Sequence, residues 1–179
     1  MPLLGLVAAA IEPVSLAEAK AHLRVDHNED DFRISFLISA AREAIELHTG
    51  MALVSAGYRW IGDECMQSRF NRLPLWPVAA VSAVSYRAHD GASTDLSEAD
   101  YFLHGNRGAV ALDARADGYL TVDFTTDAPA VVPSPLKAAI LLLVTDLYEQ
   151  GGGLIQGGSV QVNPTVDRLT MPYRVNLGL

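Results

Sequence analysis

The sequence contains little cysteine and lysine and no long uninterrupted apolar stretch. Its 179 residues include one cysteine, which excludes a disulfide scaffold and any zinc or iron–sulfur site built from several cysteines, and fits a reducing compartment. No lysine or arginine precedes Lys20, so the apolar residues Met1–Ile11 lack the positive region of a secretory signal. We interpret them as an N-terminal arm that packs on a neighbouring molecule. The longest later apolar run, Ala138–Val144, is far shorter than the ~20 residues of a membrane span.

Negative charge exceeds positive charge. The chain has 13 basic residues, 21 acidic residues and a formal net charge of −8. Tight binding to nucleic acid without sequence preference needs a basic surface, and this composition argues against it. The excess of acid lies in residues 1–130, because residues 131–179 contain three basic and three acidic groups.

Two helices are predicted near the N-terminus. Ser15 and Glu18 have the spacing of a capping box, and this first helix is expected to run to about Val25. Asn28 is a candidate N-cap for a second helix that continues to about Thr49, where Gly50 would stop it.

The second predicted helix is apolar on more than one side. Its apolar positions include Phe32, Ile34, Phe36, Ile38, Ala41, Ile45 and Leu47. Such a helix is expected to pack on two sides, as in a bundle or a subunit ring, and Phe32, Phe36 and Leu47 are the candidate contacts between subunits. The alternative is that the rest of the same chain buries both sides.

The middle of the chain has the pattern of an antiparallel β-unit. The predicted short strands are separated by turn signals and cover 52–61, 78–87, 101–103, 109–112 and 119–125. A third helix follows over 134–150, and a short helical turn is expected near 165–169. The fold class is therefore α+β, a core of three main helices with an inserted β-unit and an extended tail. The predicted segments are an arm (1–14), helical core (15–50), β-insertion (51–130), helical core (131–152) and tail (153–179).

No catalytic, cofactor or metal site is predicted. None of the five histidines lies in a metal-binding frame, and each is interpreted as a solvated or capping residue. Asp30 and Asp31 are adjacent on a helix, so their side chains do not converge. Cys65 follows two acids, which would raise the pKa of its thiol and disfavour activation. The glycine-rich stretches 105–108 and 151–158 match no phosphate-binding motif. An enzyme is therefore not expected.

Two stretches carry a resemblance to a known family. The first, EPVSLAEAKAHLRVD at 12–26 with Asp30-Asp31, ISAAREAIE at 38–46 and Thr49-Gly50, closely resembles the opening of phage head–tail connector proteins. The second is PTVDRL at 164–169 with MPYRV at 171–175, which is similar to the ending of the longer members. These are head-completion or adaptor proteins of tailed phages and gene transfer agents. The middle of the chain is similar to the family in layout only.

This resemblance implies a ring of around a dozen copies at the head–tail junction of a particle assembled in the bacterial cytoplasm. One surface of the ring would dock on the portal protein and the other would receive a stopper or tail-side protein. The C-terminal tail would reach the portal. Its candidate contact residues are Val166, Leu169, Met171, Pro172, Tyr173 and Arg174.

DNA would pass through such a ring without being held. Our hypothesis is that the negative charge, repeated around the ring, gives a repulsive channel wall, although the same charge also serves solubility. Two other functions stay open from the sequence. A tail-terminator ring is expected to be a β-sandwich without the helical opening, and a packaging-associated enzyme would need a convergent carboxylate or histidine cluster.

Overall fold

The chain forms two compact units. One contains the residues up to Ala10 together with Gly50–Pro129, and the other contains Ile11–Thr49 and Ala130–Arg174. The computed structural model describes residues 3–62, 71–88, 90–101, 111–112, 118–149 and 163–174. The predictions for Cys65 and for both glycine-rich stretches lie outside these residues.

The second unit is helical. It contains α1 (Leu16–Leu23), α2 (Asp31–Thr49), α3 (Ser134–Glu149) and α4 (Pro164–Thr170), followed by a 3-10 turn (Met171–Tyr173). The three predicted helices and the helical turn near 165–169 are confirmed. Among the described residues, no helix combines the length and the apolar character needed to cross a membrane.

The ends of α1 and α2 follow from local hydrogen bonds. Both halves of the capping box at Ser15 are present, and α1 ends at Arg24, which has a left-handed conformation. Asn28 does not cap α2 with its side chain, because its Oδ1 accepts from Lys20 Nζ at 2.8 Å. The Ile34 N–H instead donates to the carbonyl of Asp30 at 2.8 Å, so α2 begins at Asp31. Gly50, with φ of 72°, provides the predicted stop.

The core of the helical unit lies mainly between α2 and α3, which pack against each other. One stripe of each helix is buried, as helical periodicity requires. The buried apolar residues of these two helices are Ile34, Ile38, Ala41, Ile45, Leu136, Ala139, Ile140 and Val144.

The first unit is built on an antiparallel sheet, which together with the helices confirms the α+β class. Its five strands have the order β1-β2-β7-β4-β5, and the short strands β3 and β6 pair separately. The strands are β1 (Leu3–Val7), β2 (Gly57–Gly62), β3 (Asn71–Arg72), β4 (Val78–Ala88), β5 (Ser93–Asp95), β6 (Ala111–Leu112) and β7 (Gly118–Thr126).

One face of this sheet carries the core of the unit. Trp60 lies opposite Val122, and Val122 lies opposite Val84, so three strands place large buried side chains in one row. Tyr58 and Phe124 stack in the next row, with 5.8 Å between ring centroids. Alternation along β2 and β7 sends the intervening residues to the other face.

Several strand predictions need correction. The predicted arm is in part β1, an edge strand that pairs antiparallel with β2. The strand predicted from Ala52 begins only at Gly57, since the Ala52 N–H donates to the Trp76 carbonyl at 2.7 Å instead of joining the sheet. Tyr101 is not in a strand, and β5 was not predicted.

Candidate assembly surfaces

The outer side of α2 carries large apolar side chains that are exposed in the described part of the chain. Phe32 is 88% exposed, Phe36 65% and Leu47 59%. At 100° per residue, these positions lie about 120–180° around the helix from Ile34 and Ile38, which are buried. We call Phe32, Phe36 and Leu47 the outer α2 face.

A buried ionic cluster holds the middle of α2. Arg42 is 4% exposed and Glu46 1%. The Arg42 guanidinium donates to Glu46 at 2.6 Å, to Glu12 at 2.9 Å and to Glu43 at 3.3 Å. Burial alone would lower the Arg42 pKa, but the Glu46 and Glu12 carboxylates outweigh it and raise that pKa above the ordinary arginine value. The cluster fixes the chain before α1 onto α2.

A second set of polar contacts fixes the start of α2. Asp31 accepts from Lys20 Nζ at 2.6 Å, which ties α2 to α1. Asp30 accepts from the Tyr148 hydroxyl at 2.6 Å, and this hydrogen bond raises the Tyr148 pKa. The Arg33 guanidinium lies 4.7 Å from the centroid of the Tyr148 ring. Both aspartates therefore join α2 to neighbouring helices. Phe32 follows them directly, so it lies in a part of α2 whose position these contacts fix.

The predicted portal-binding residues occupy different environments. Asn163 caps α4 and also donates to Asp146 on α3 at 3.2 Å. Val166 is 8% exposed, because α4 packs mainly on α3, so in this conformation it contacts its own chain. Leu169 and Tyr173 are half-buried, whereas Met171, Pro172 and Arg174 are exposed. Residues 175–179 lie outside the described residues.

Two of the described histidines lie beside carboxylates. His48 Nε2 lies 3.2 Å from an Asp167 carboxylate oxygen, and His27 lies near Glu29 and Asp30 at 3.6 and 3.9 Å. Across the parts of the chain that the structure describes, no three His, Cys, Asp or Glu side chains group as they would around a metal ion.

Two features of these surfaces were not predicted from the sequence. The Arg42–Glu46 pair has the i, i+4 spacing of a helix ion pair and lies between the apolar positions Ile38, Ala41 and Ile45. A charged pair within an apolar stripe is the signal that could have revealed it. The edge position of β1 had no such signal, since it depends on pairing with a strand about 50 residues later.

A known protein family matches part of this chain. The family described as phage gp6-like head-tail connector protein matches residues 13–89, which contain α1, α2 and the strands β2, β3 and β4. The match covers 77 of the 179 residues, so it describes part of this chain. No curated protein matches this sequence.

Solved particles extend the likeness to the whole chain. A chain from the virion of a native gene transfer agent particle is 25% identical, with a TM-score of 0.70 and coverage of 100% of this chain and 98% of that one. Chains in necks of gene transfer agent particles give 26% identity and TM-score 0.70 for the empty particle with C6 symmetry, and 25% and 0.68 for the native particle with C12 symmetry. Coverage is the same for both. Together with the connector family, these structures support a structural connector role at a head–tail junction.

Proposed function

We propose that this protein is a structural head–tail connector subunit, with no catalytic activity, that forms a ring beneath the portal of a phage or gene transfer agent particle. The observation that carries this proposal is the likeness of the whole chain to neck proteins of gene transfer agents. The ring joins the head to a stopper or tail-side protein. Its body is the three-helix core, and residues 153–179 act as the docking tail.

The outer α2 face is the proposed contact between neighbouring copies. Two phenylalanine side chains of about 200 Å² each, exposed by 88% and 65%, present about 300 Å² of apolar surface. At about 25 cal/mol per Å², covering them contributes about 7 kcal/mol per contact before the entropic cost of association. The ionic cluster and the Lys20–Asp31 contact hold this face in place, so little ordering is needed on binding.

The exposed residues after α4 are the proposed contact with the portal. Met171 and Arg174 project from a segment whose helix is anchored on α3. Met171→Asp and Arg174→Glu change this surface without disturbing Val166 or the core. We expect heads that package DNA but lack the connector, as seen by quantitative mass spectrometry of purified heads. Retention of the connector at the parental level in both variants would contradict portal docking by this segment.

DNA passes through the proposed ring without specific binding. A ring of around a dozen copies, each with a net charge of −8, places high negative charge beside the channel, and this disfavours the counterion release that would hold DNA. A reconstruction with the acidic side chains facing outward and a basic bore would overturn this part of the proposal.

Particle assembly tests the proposal as a whole. Deleting the gene from cells that produce the particle should leave DNA-filled heads without tails, and expression of the full chain should restore tailed particles. Unchanged tailed particles after the deletion would contradict the proposed function. A control variant with Thr94→Ser, an exposed position on β5, should restore assembly as well as the parent chain does.

A further inference from the structure

The N-terminal segment Leu3–Ile11 carries a second set of exposed apolar side chains. Its nine residues contain no charged and no polar side chain. Leu3 and Ala9 pack against the sheet core, whereas Leu4 and Leu6 are 49% exposed, Val7 64% and Ile11 82%. Within it, β1 is an edge strand with no charge or proline to discourage a partner. Edge strands of this kind are ordinarily covered in an assembly.

Rotational symmetry restricts what can cover each surface. In a closed ring larger than a dimer, every contact joins two different surfaces of the same chain. The outer α2 face therefore cannot contact the outer α2 face of the next copy across a twofold axis. In contact with the next copy it can meet only a different surface of that copy, and an apolar one would bury it without leaving polar groups unpaired. Val131 and Met171 are also exposed, but single apolar side chains on a surface are common and form no patch.

We propose that the N-terminal segment Leu3–Ile11 of one copy packs on the outer α2 face of the next copy in the ring. This inference rests on the proposed function, since it requires a ring of this chain. Leu4 and Leu6 are each about half exposed, and the register of β1 on β2 shifts between Gly5 and Val7. Together with the side chains of Val7 and Ile11 they provide apolar groups for Phe32, Phe36 and Leu47.

The areas of the two surfaces fit a stable contact. The exposed fractions of these seven side chains, at about 150–200 Å² each, amount to about 800 Å² of apolar surface. These side chains would therefore supply most of the ~1,000 Å² that a specific interface is expected to exceed, and neighbouring atoms would have to supply the remainder. The outer α2 face alone would fall well short of that size.

Pairwise crosslinking tests the contact. In a Cys65→Ser background, the double variant Leu4→Cys/Phe36→Cys is assembled into particles and treated with a short bismaleimide. We expect a ladder of covalent oligomers that extends towards the full ring. A mixture of the two single variants should stop at dimers. The matched control, Thr94→Cys/Phe36→Cys, pairs the same α2 position with the opposite edge of the sheet and should give no ladder.

The outcomes separate this inference from the proposed function. A parent chain that forms no ring in particles overturns both. A ring in which Leu4→Cys/Phe36→Cys crosslinks no better than the Thr94 control overturns only the N-terminal contact. If that double variant fails to assemble, the pair Leu6→Cys/Phe32→Cys is used in the same way, and absence of a ladder in an assembled ring again contradicts the inference.

Discussion

Replacing Arg42 with methionine tests the buried ionic cluster. Methionine keeps much of the volume of the arginine stem but removes the guanidinium that donates to Glu46 at 2.6 Å and to Glu12 at 2.9 Å. Glu46 is buried, so its carboxylate would lose this positive partner away from water. Breaking a buried ion pair from one side costs about 3–5 kcal/mol of unfolding free energy. That is a large part of the stability of an ordinary domain.

The double variant Arg42→Met/Glu46→Leu supplies the second half of the test. With both partners replaced by apolar groups, no buried charge remains at position 46. We therefore expect this variant to be more stable than Arg42→Met alone, although it has one more substitution. The matched control is Arg168→Met, because Arg168 is exposed on α4 and its replacement should change stability by less than about 0.5 kcal/mol.

Two optical probes distinguish the two units in this experiment. Both tryptophans, Trp60 and Trp76, belong to the sheet unit, whereas the helices lie in the other unit. When urea unfolding of Arg42→Met is followed by helical circular dichroism, the free energy of unfolding should fall by the full amount of about 3–5 kcal/mol. When it is followed by tryptophan fluorescence, the free energy of unfolding should fall by less. A loss below about 1 kcal/mol, or a double variant as unstable as the single, would refute the role of the cluster.

Three further predictions concern single positions. Ser15→Ala should cost about 1 kcal/mol by removing the α1 cap, measured by urea unfolding. Ile34→Ala should cost about 2–5 kcal/mol, while Phe32→Ala on the outer α2 face should leave the unfolding free energy of dilute protein nearly unchanged; equal losses would contradict the assignment of the two sides. The hydrogen bond from Arg59 lowers the Asp123 pKa below 3.8. The stability that ionised Asp123 contributes is therefore fully present above its ordinary pKa and is lost as the pH falls through the lower pKa of the folded state. Asp123→Asn should consequently reduce the loss of stability in acid, measured by urea unfolding as a function of pH.

Local chemistry made the helices and most strand positions predictable. The capping box at Ser15 and the stop at Gly50 depend on neighbouring residues, and both are present as predicted. Asn28 shows the limit of such reasoning. Its side chain had two possible partners, and the choice of Lys20 over the helix N-terminus depends on how α1 lies beside α2.

The candidate surfaces were predictable only in part. The apolar pattern of α2 indicated two packing sides, but it did not say which side the chain itself would cover; contact with α3 decides that. Val166 belongs to the predicted portal-binding set, but it is buried against its own chain. An apolar residue in a predicted tail does not indicate whether its own chain or a partner covers it. The strands β3, β5 and β6 have only two or three residues each, too few for an alternating pattern to show in the sequence.

A symmetry-resolved cryo-EM reconstruction of the neck of particles that carry this chain tests the central claim most directly. The account predicts a closed ring of this protein between portal and tail, with Phe32, Phe36 and Leu47 buried at every boundary between neighbouring copies. A neck that lacks the protein, or a ring in which these three side chains face solvent, would contradict it.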